Sequence, residues 1–278
     1  MLKFLFQNKS VKKASSRRRN YKRAGRKSLE AGHKIIVFLF SLSMALSCSG
    51  IHSKNSSPNL GGQALVVETS ESNSSSEESN LDPSLRAEIP ESIREYLPLI
   101  KKYSKIYGFD WRLIIAVIQQ ESSFRHDAVS PKGAYGLLQI MPETGEELVL
   151  TVSHIYDFRT PEQNIIAGIH YLWTQFNRFY TKGMDSVECL KLALAAYNAG
   201  PGRVLDAQQL ALYLGEDPNK WESIKMTLPL LSAEYYTLHK YIWDSGRPRS
   251  GYFRNYRETL NYVEKIMQNY ERYKKSIK

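Results

Sequence analysis

The chain has 278 residues and a formal net charge of +10. Residues 1–34 hold twelve Lys or Arg against one Glu, so everything beyond position 34 sums to −1 and the basic balance belongs to the N-terminus alone. A near-neutral remainder with no interleaved basic and aromatic motif excludes a nucleic-acid-binding domain.

The basic leader suits the n-region of a signal sequence, and Ile35 to Ser47 follows it with thirteen uncharged residues. That is short of the roughly 20 residues a bilayer span requires and has the length of a signal h-region. Ala45-Leu46-Ser47-Cys48 then resembles a bacterial lipoprotein box, although Ala45 and Leu46 exchange the usual order of leucine and small residue. The resemblance implies cleavage before Cys48 and acylation of its thiol, with a plain cleaved signal or an uncleaved anchor as alternatives. Residues 48–90, which include SESNSSSEESN, carry too few large apolar side chains to fold and read as a flexible tether. A coil of about 40 residues reaches roughly 35 Å. The expected organisation is a leader at 1–47, a lipid-anchored linker at 48–90 and a folded domain at 91–278.

Within that domain the apolar spacing predicts helices at 92–107, 111–122, 143–150, 161–180, 186–197, 203–214, 230–243 and 254–274. One strand-like candidate, a short hairpin, falls at about 128–140. Cys189 lies in the apolar helix SVECLKLALAAYN and reads as a buried thiol; with Cys48 acylated it has no disulfide partner. The six histidines show no metal-ligand spacing, so neither metal nor cofactor is expected.

The most informative run is AVIQQESSFRHDAVSPKGAYGLLQIMP, residues 116–142. Asp110 is placed to cap a helix whose apolar face carries Leu113, Ile114, Val117 and Ile118, and Glu121 falls in its last turn. The negative end of the helix dipole and an apolar setting both favour a carboxyl that keeps its proton near neutral pH, as a general acid must. An ordinary solvated glutamate at a helix end is the competing reading. Ser130-Pro131-Lys132-Gly133 then forms a turn, and Gln139 sets a single amide among Leu137, Leu138, Ile140 and Met141. Such an amide suits an acetamido group or a structural role equally.

Glu121-Ser122, GLLQIMP at 136–142, LAAYNAGPGRV at 194–204 and RETLNYVEKI at 257–266 occur in order. Together, over about residues 92–275, they resemble the catalytic domain of soluble-type lytic transglycosylases, glycoside hydrolase family 23, within the lysozyme-like superfamily. The resemblance implies a mainly α, lysozyme-like (α+β) fold with a small β-hairpin beside the cleft. It makes Glu121 the sole catalytic acid, with Ser122 following it as a substrate contact and Ser130 hydrogen-bonding near the reacting sugar. Gln139 and Met141 line the acetamido-sugar site, Tyr197 hydrogen-bonds the acid beside Asn198, and Tyr262 is a further cleft tyrosine. Core filling is an equal reading for Met141 and for Tyr262. Leu138 stands where the family commonly has methionine, a change of little volume.

The implied substrate is peptidoglycan, cut at the β-1,4 bond between N-acetylmuramic acid and N-acetylglucosamine. Most glycosidases employ two carboxylates. Here no second one is evident, and the resemblance implies that Glu121 first donates its proton and then takes one from the muramyl 6-hydroxyl, giving 1,6-anhydromuramyl ends. A muramidase on the same fold and a non-catalytic wall-binding lipoprotein are the alternatives. The expected location is the cell envelope, membrane-anchored and facing the periplasm or cell wall. Between the Asn-Ala-Gly-Pro-Gly turn and the last helix lies a Tyr- and Trp-rich stretch ending in SGRPRSGYFRN. It reads as extra helical packing in preference to a lid, with Arg247 and Arg249 either solvated or placed for peptide-stem carboxylates.

Overall fold

The computed structural model describes residues 89–277. The expectations for the leader, Cys48 and most of the tether lie outside these residues. Ten α-helices and two 3-10 turns make up the described part: α1 (Glu91–Arg94), α2 (Leu97–Ile106), α3 (Trp111–Ser122), α4 (Pro142–Thr151), α5 (Pro161–Phe179), α6 (Ser186–Ala199), α7 (Pro201–Leu214), α8 (Trp221–Thr227), α9 (Tyr236–Ile242) and α10 (Tyr256–Ser276).

Four boundaries differ from the sequence reading. The helix expected over 92–107 is split into α1 and α2, because Pro98 enters the first turn of α2 without an N–H to continue an earlier helix. Helix α8 was not anticipated, yet Trp221, Ile224 and Leu228 at three- and four-residue spacing are all buried. The helix expected over 230–243 breaks into 3-10 turns at Pro229–Leu231 and Ala233–Tyr235, with only α9 regular. The hairpin is reduced to two isolated antiparallel bridges, Val129 to Tyr135 and Tyr135 to Ile140. Two close turns, one sharing Tyr135 with both bridges, leave no length for strands to pair.

Helix α3 is the centre of the fold. Asp110 caps it as expected, its Oδ1 accepting from the Arg112 N–H at 2.9 Å. Six successive residues, Leu113 to Ile118, are buried, so the helix is enclosed on all sides and not on one face as its spacing suggested. It packs on α2 and α10, while α6 packs on α5, α7 and α10. Where α5 crosses the segment before α4, Gly168 leaves no room for a side chain: a Cβ there would stand 2.4 Å from Leu138 Cδ1 and 2.5 Å from its Cβ. Replacing Gly168 with Ala should therefore cost about 2 kcal/mol in denaturant unfolding; an unchanged unfolding midpoint would refute this close packing.

Candidate active site

Glu121 ends the enclosed helix, and the chain turns away at once through two left-handed residues, Ser123 at φ 51° and Phe124 at φ 68°. Neither is glycine, and such residues are held in this conformation by their surroundings. The turn leaves Glu121 partly exposed. Its carboxyl is pushed up to about 7, chiefly by burial, against the Tyr262 hydrogen bond, which lowers it, and with the Glu258 charge, which raises it. Burial thus leaves this carboxyl poised near neutrality.

The hydroxyl that meets the acid belongs to Tyr262. Its Oη donates to Glu121 Oε1 at 2.5 Å from the buried face of α10. Burial and the Glu121 charge hold this phenol well above its ordinary range, so it remains a donor. Tyr197, expected to bond the acid, instead donates from Oη to the Leu138 carbonyl at 2.7 Å. The exchange follows from placement, since α6 faces the Gly136–Ile140 turn while α10 lies along α3. Tyr197 is still near enough for the Glu121 charge to raise its pKa after burial does so, and the Tyr171 ring packs edge-on against it at 5.1 Å.

Ser122 does not face the cleft. It is buried, and its Oγ donates to the Ile118 carbonyl one turn back at 3.2 Å, because the position after Glu121 on α3 rotates into the core. Ser130 is half-buried, its Oγ accepting from the Ala134 N–H at 2.9 Å and closing its own turn. Gln139, in a left-handed conformation at φ 45°, gives Nε2 to the carbonyls of Gly136 at 2.9 Å and Ala128 at 3.0 Å. Its Oε1 is left as the acceptor. Met141, half-buried, caps the N-terminus of α4. Asn198 is half-buried, and its Oδ1 accepts from the buried Thr259 hydroxyl at 2.7 Å. That bond ties α6 to α10 three residues before Tyr262, so Asn198 acts here on the register of the helix that carries the acid's partner.

Two residues that shape the site escaped the sequence reading. Thr259 is one. The other is Asn164 on α5, fully buried, which accepts from Leu138 N–H at 2.9 Å and donates to the carbonyls of Tyr135 at 2.9 Å and Phe158 at 3.0 Å. Its signal was a polar residue in register with the apolar stripe of Gly168 and Leu172. Cys189 is buried with its thiol raised to about 11 by burial, as a structural cysteine should be.

The bond from Tyr262 has a direct test. Removing the hydroxyl in Tyr262→Phe deletes the interaction that lowers the Glu121 pKa, so the basic limb of the activity profile should move to higher pH. A limb that stays in place or moves down would contradict the arrangement.

Among the described residues no group of three or more His, Cys, Asp or Glu side chains is placed to hold a metal ion, and no helix is long and apolar enough to cross a membrane. The site's chemistry rests on one half-buried carboxyl, the phenols of buried Tyr262 and half-buried Tyr197, and a turn rich in backbone polar groups.

Residues 98–217 match the transglycosylase SLT domain. The chain is 42% identical over 181 residues to the membrane-bound lytic murein transglycosylase F of Desulfosudis oleivorans, covering 63% of this chain and 36% of that protein. With the enzyme of the same name from Haemophilus influenzae it shares 35% over 190 residues, 68% of this chain and 35% of that one. The chain thus spans about a third of the length of these curated relatives. The solved 70 kDa soluble lytic transglycosylase of Escherichia coli aligns with 64% of this chain and 24% of its own at 27% identity and a TM-score of 0.43. Residues 98–217 thus match the transglycosylase SLT domain, and the relatives that share this part of the chain are membrane-bound lytic murein transglycosylases.

Proposed function

We propose that the chain is a peptidoglycan lytic transglycosylase that cleaves between N-acetylmuramic acid and N-acetylglucosamine and leaves 1,6-anhydromuramyl ends. The observation that carries this reading is the enclosed Glu121 carboxyl, raised to about 7 and bonded by Tyr262. Near neutral pH such a group exists in both protonation states in useful amounts, which lets one residue act as acid and then as base.

In the first step the Glu121 proton passes to the glycosidic oxygen as the bond to the muramyl anomeric carbon breaks. The N-acetylglucosamine unit leaves with its 4-hydroxyl restored. Positive charge developing at the anomeric carbon is met by the oxygen of the substrate's own 2-acetamido group, and Gln139 Oε1 is left free to accept from the acetamido N–H. The Tyr262 hydroxyl stabilises the carboxylate that has just formed. In the second step the muramyl 6-oxygen bonds to the anomeric carbon while its proton returns to Glu121. No water is consumed, and the acid is regenerated.

Ser130 and Met141 border the same turn and serve as substrate contacts in this reading. The 1–47 leader, lipidation at Cys48 and the 48–90 linker are proposed to hold the domain at a membrane of the cell envelope. The relatives' designation as membrane-bound supports that location. Mass spectrometry of muropeptides released from purified peptidoglycan tests the reaction. Products about 18 Da below the hydrated species, absent with Glu121→Gln, are expected from loss of one water per end. Reducing ends would instead indicate a muramidase, and no release from folded protein a binding module.

A further inference from the structure

Residues 245–257, SGRPRSGYFRNYR, stand out by charge. Residues 89–277 carry 23 Lys or Arg against 21 Asp or Glu, a net of +2, whereas this stretch alone holds four arginines and no acid. Arg247, Arg249, Arg254 and Arg257 are all exposed. None of the four guanidinium groups forms an ion pair with a carboxylate among the described residues. By contrast, Arg112, Lys191, Lys225 and Lys274 each do so.

The backbone of this stretch is fixed. Asp206, buried on α7, accepts the N–H of Arg249 at 3.2 Å and that of Ser250 at 2.8 Å. Ser250 is pressed against the start of α7 so closely that a Cβ on Gly202 would lie 2.3 Å from its Oγ. Downstream, the Phe253 N–H donates to the Leu231 carbonyl at 3.1 Å and the Arg203 guanidinium covers the Phe253 ring. A buried carboxylate is thus committed to two backbone groups of a loop whose own arginines are unpaired.

In sequence, the strip leads to residues of the site on both sides. Gly202 follows Asn198 by four residues. Arg257 precedes Glu258, whose charge Glu121 senses, and Thr259, which bonds Asn198. Planar guanidinium forks on a preset backbone match carboxylates, which they grip through paired hydrogen bonds.

We propose that residues 245–257 form a carboxylate-recognition strip for the peptide stems that branch from the muramyl residues of the glycan. The proposal rests on the peptidoglycan reading above and adds a preference to it: strands that carry their peptides are cleaved faster than bare ones. An anionic lipid surface is the competing ligand for four arginines. The link through α10, where Arg257 stands next to the Glu258 whose charge reaches Glu121, favours the substrate's own carboxylates.

The test uses the full chain and two substrates, purified peptidoglycan and the same glycan stripped of its peptides by an amidase. Initial rates of anhydromuramyl release at limiting substrate give a peptide-bearing to peptide-free ratio. The double variant Arg247→Gln/Arg249→Gln should lower that ratio about fivefold, as should moderate salt with the unaltered protein. Lys182→Gln, an exposed charge removed elsewhere, should leave it unchanged. An Asp206→Asn variant, which weakens the loop's anchor while keeping all four arginines, should lower the ratio in the same sense. Equal losses on both substrates, or none, would overturn the strip. So would a defect confined to binding of phosphatidylglycerol vesicles, which would assign the arginines to a lipid surface. Absence of anhydromuramyl ends from either substrate with the unaltered protein would overturn the transglycosylase reading itself, and the strip with it.

Discussion

Glu121→Gln should extinguish cleavage, by at least about a thousandfold, and at the same time make the protein harder to unfold above neutral pH. The second effect follows from linkage. Glu121 has a folded value of about 7 against an ordinary value of 4.5, so the folded protein retains this proton through a window in which the unfolded chain has lost it. Its contribution to stability is fully present below pH 4.5 and is lost as pH rises through 7. Glutamine does not titrate and escapes that loss. The variant should match the parent near pH 4 and exceed it by about 3 kcal/mol at pH 8 in urea unfolding. An equal difference at both pH values would mean that the carboxyl is not held protonated by the fold.

The other large effect is expected at Asn164. Asn164→Leu keeps the volume and deletes three hydrogen bonds. The Tyr135 carbonyl retains the Ile140 N–H, but the Leu138 N–H and the Phe158 carbonyl lose the partner they have here. Two buried polar groups without partners should cost about 3 kcal/mol. Activity should fall beyond what the loss of folded protein explains, since the carbonyl of the same residue, Leu138, holds Tyr197. Denaturant unfolding and turnover per folded molecule check the two parts separately; a cost below about 1 kcal/mol would sink the assignment of Asn164 as the hub of this turn.

How much of this was legible in the sequence differs between the backbone and the side chains. Asp110 as a cap, the helix it starts and Glu121 in its last turn could be read because capping and apolar spacing are local signals. The same is true of α5, α6 and α10, whose stripes are long. Short elements were not: the 230–243 segment satisfies helical spacing but is shaped by bonds of Trp243 to the Gln209 side chain and of His239 to the Leu230 carbonyl. For the residues named for the site, the hydrogen-bond partners were not always the expected ones. Which of two tyrosines meets Glu121 depends on how α6 and α10 sit around α3, a tertiary fact with no local signature. Ser122 was placed in the cleft by adjacency to Glu121, whereas successive helical positions point about 100° apart.

The bond between Tyr262 and Glu121 joins positions 141 residues apart and brings the C-terminal helix onto a carboxyl from the domain's first third. Synthesis proceeds from the N-terminus, so Glu121 and the Gly136 to Ile140 turn exist well before α10 does. Until α10 docks, the acid lacks both its hydroxyl partner and the enclosure that raises its pKa, and an unfinished chain has the reactive residue without its reactivity. For a domain read as cutting the wall that contains the cell, the order of assembly is itself a safeguard.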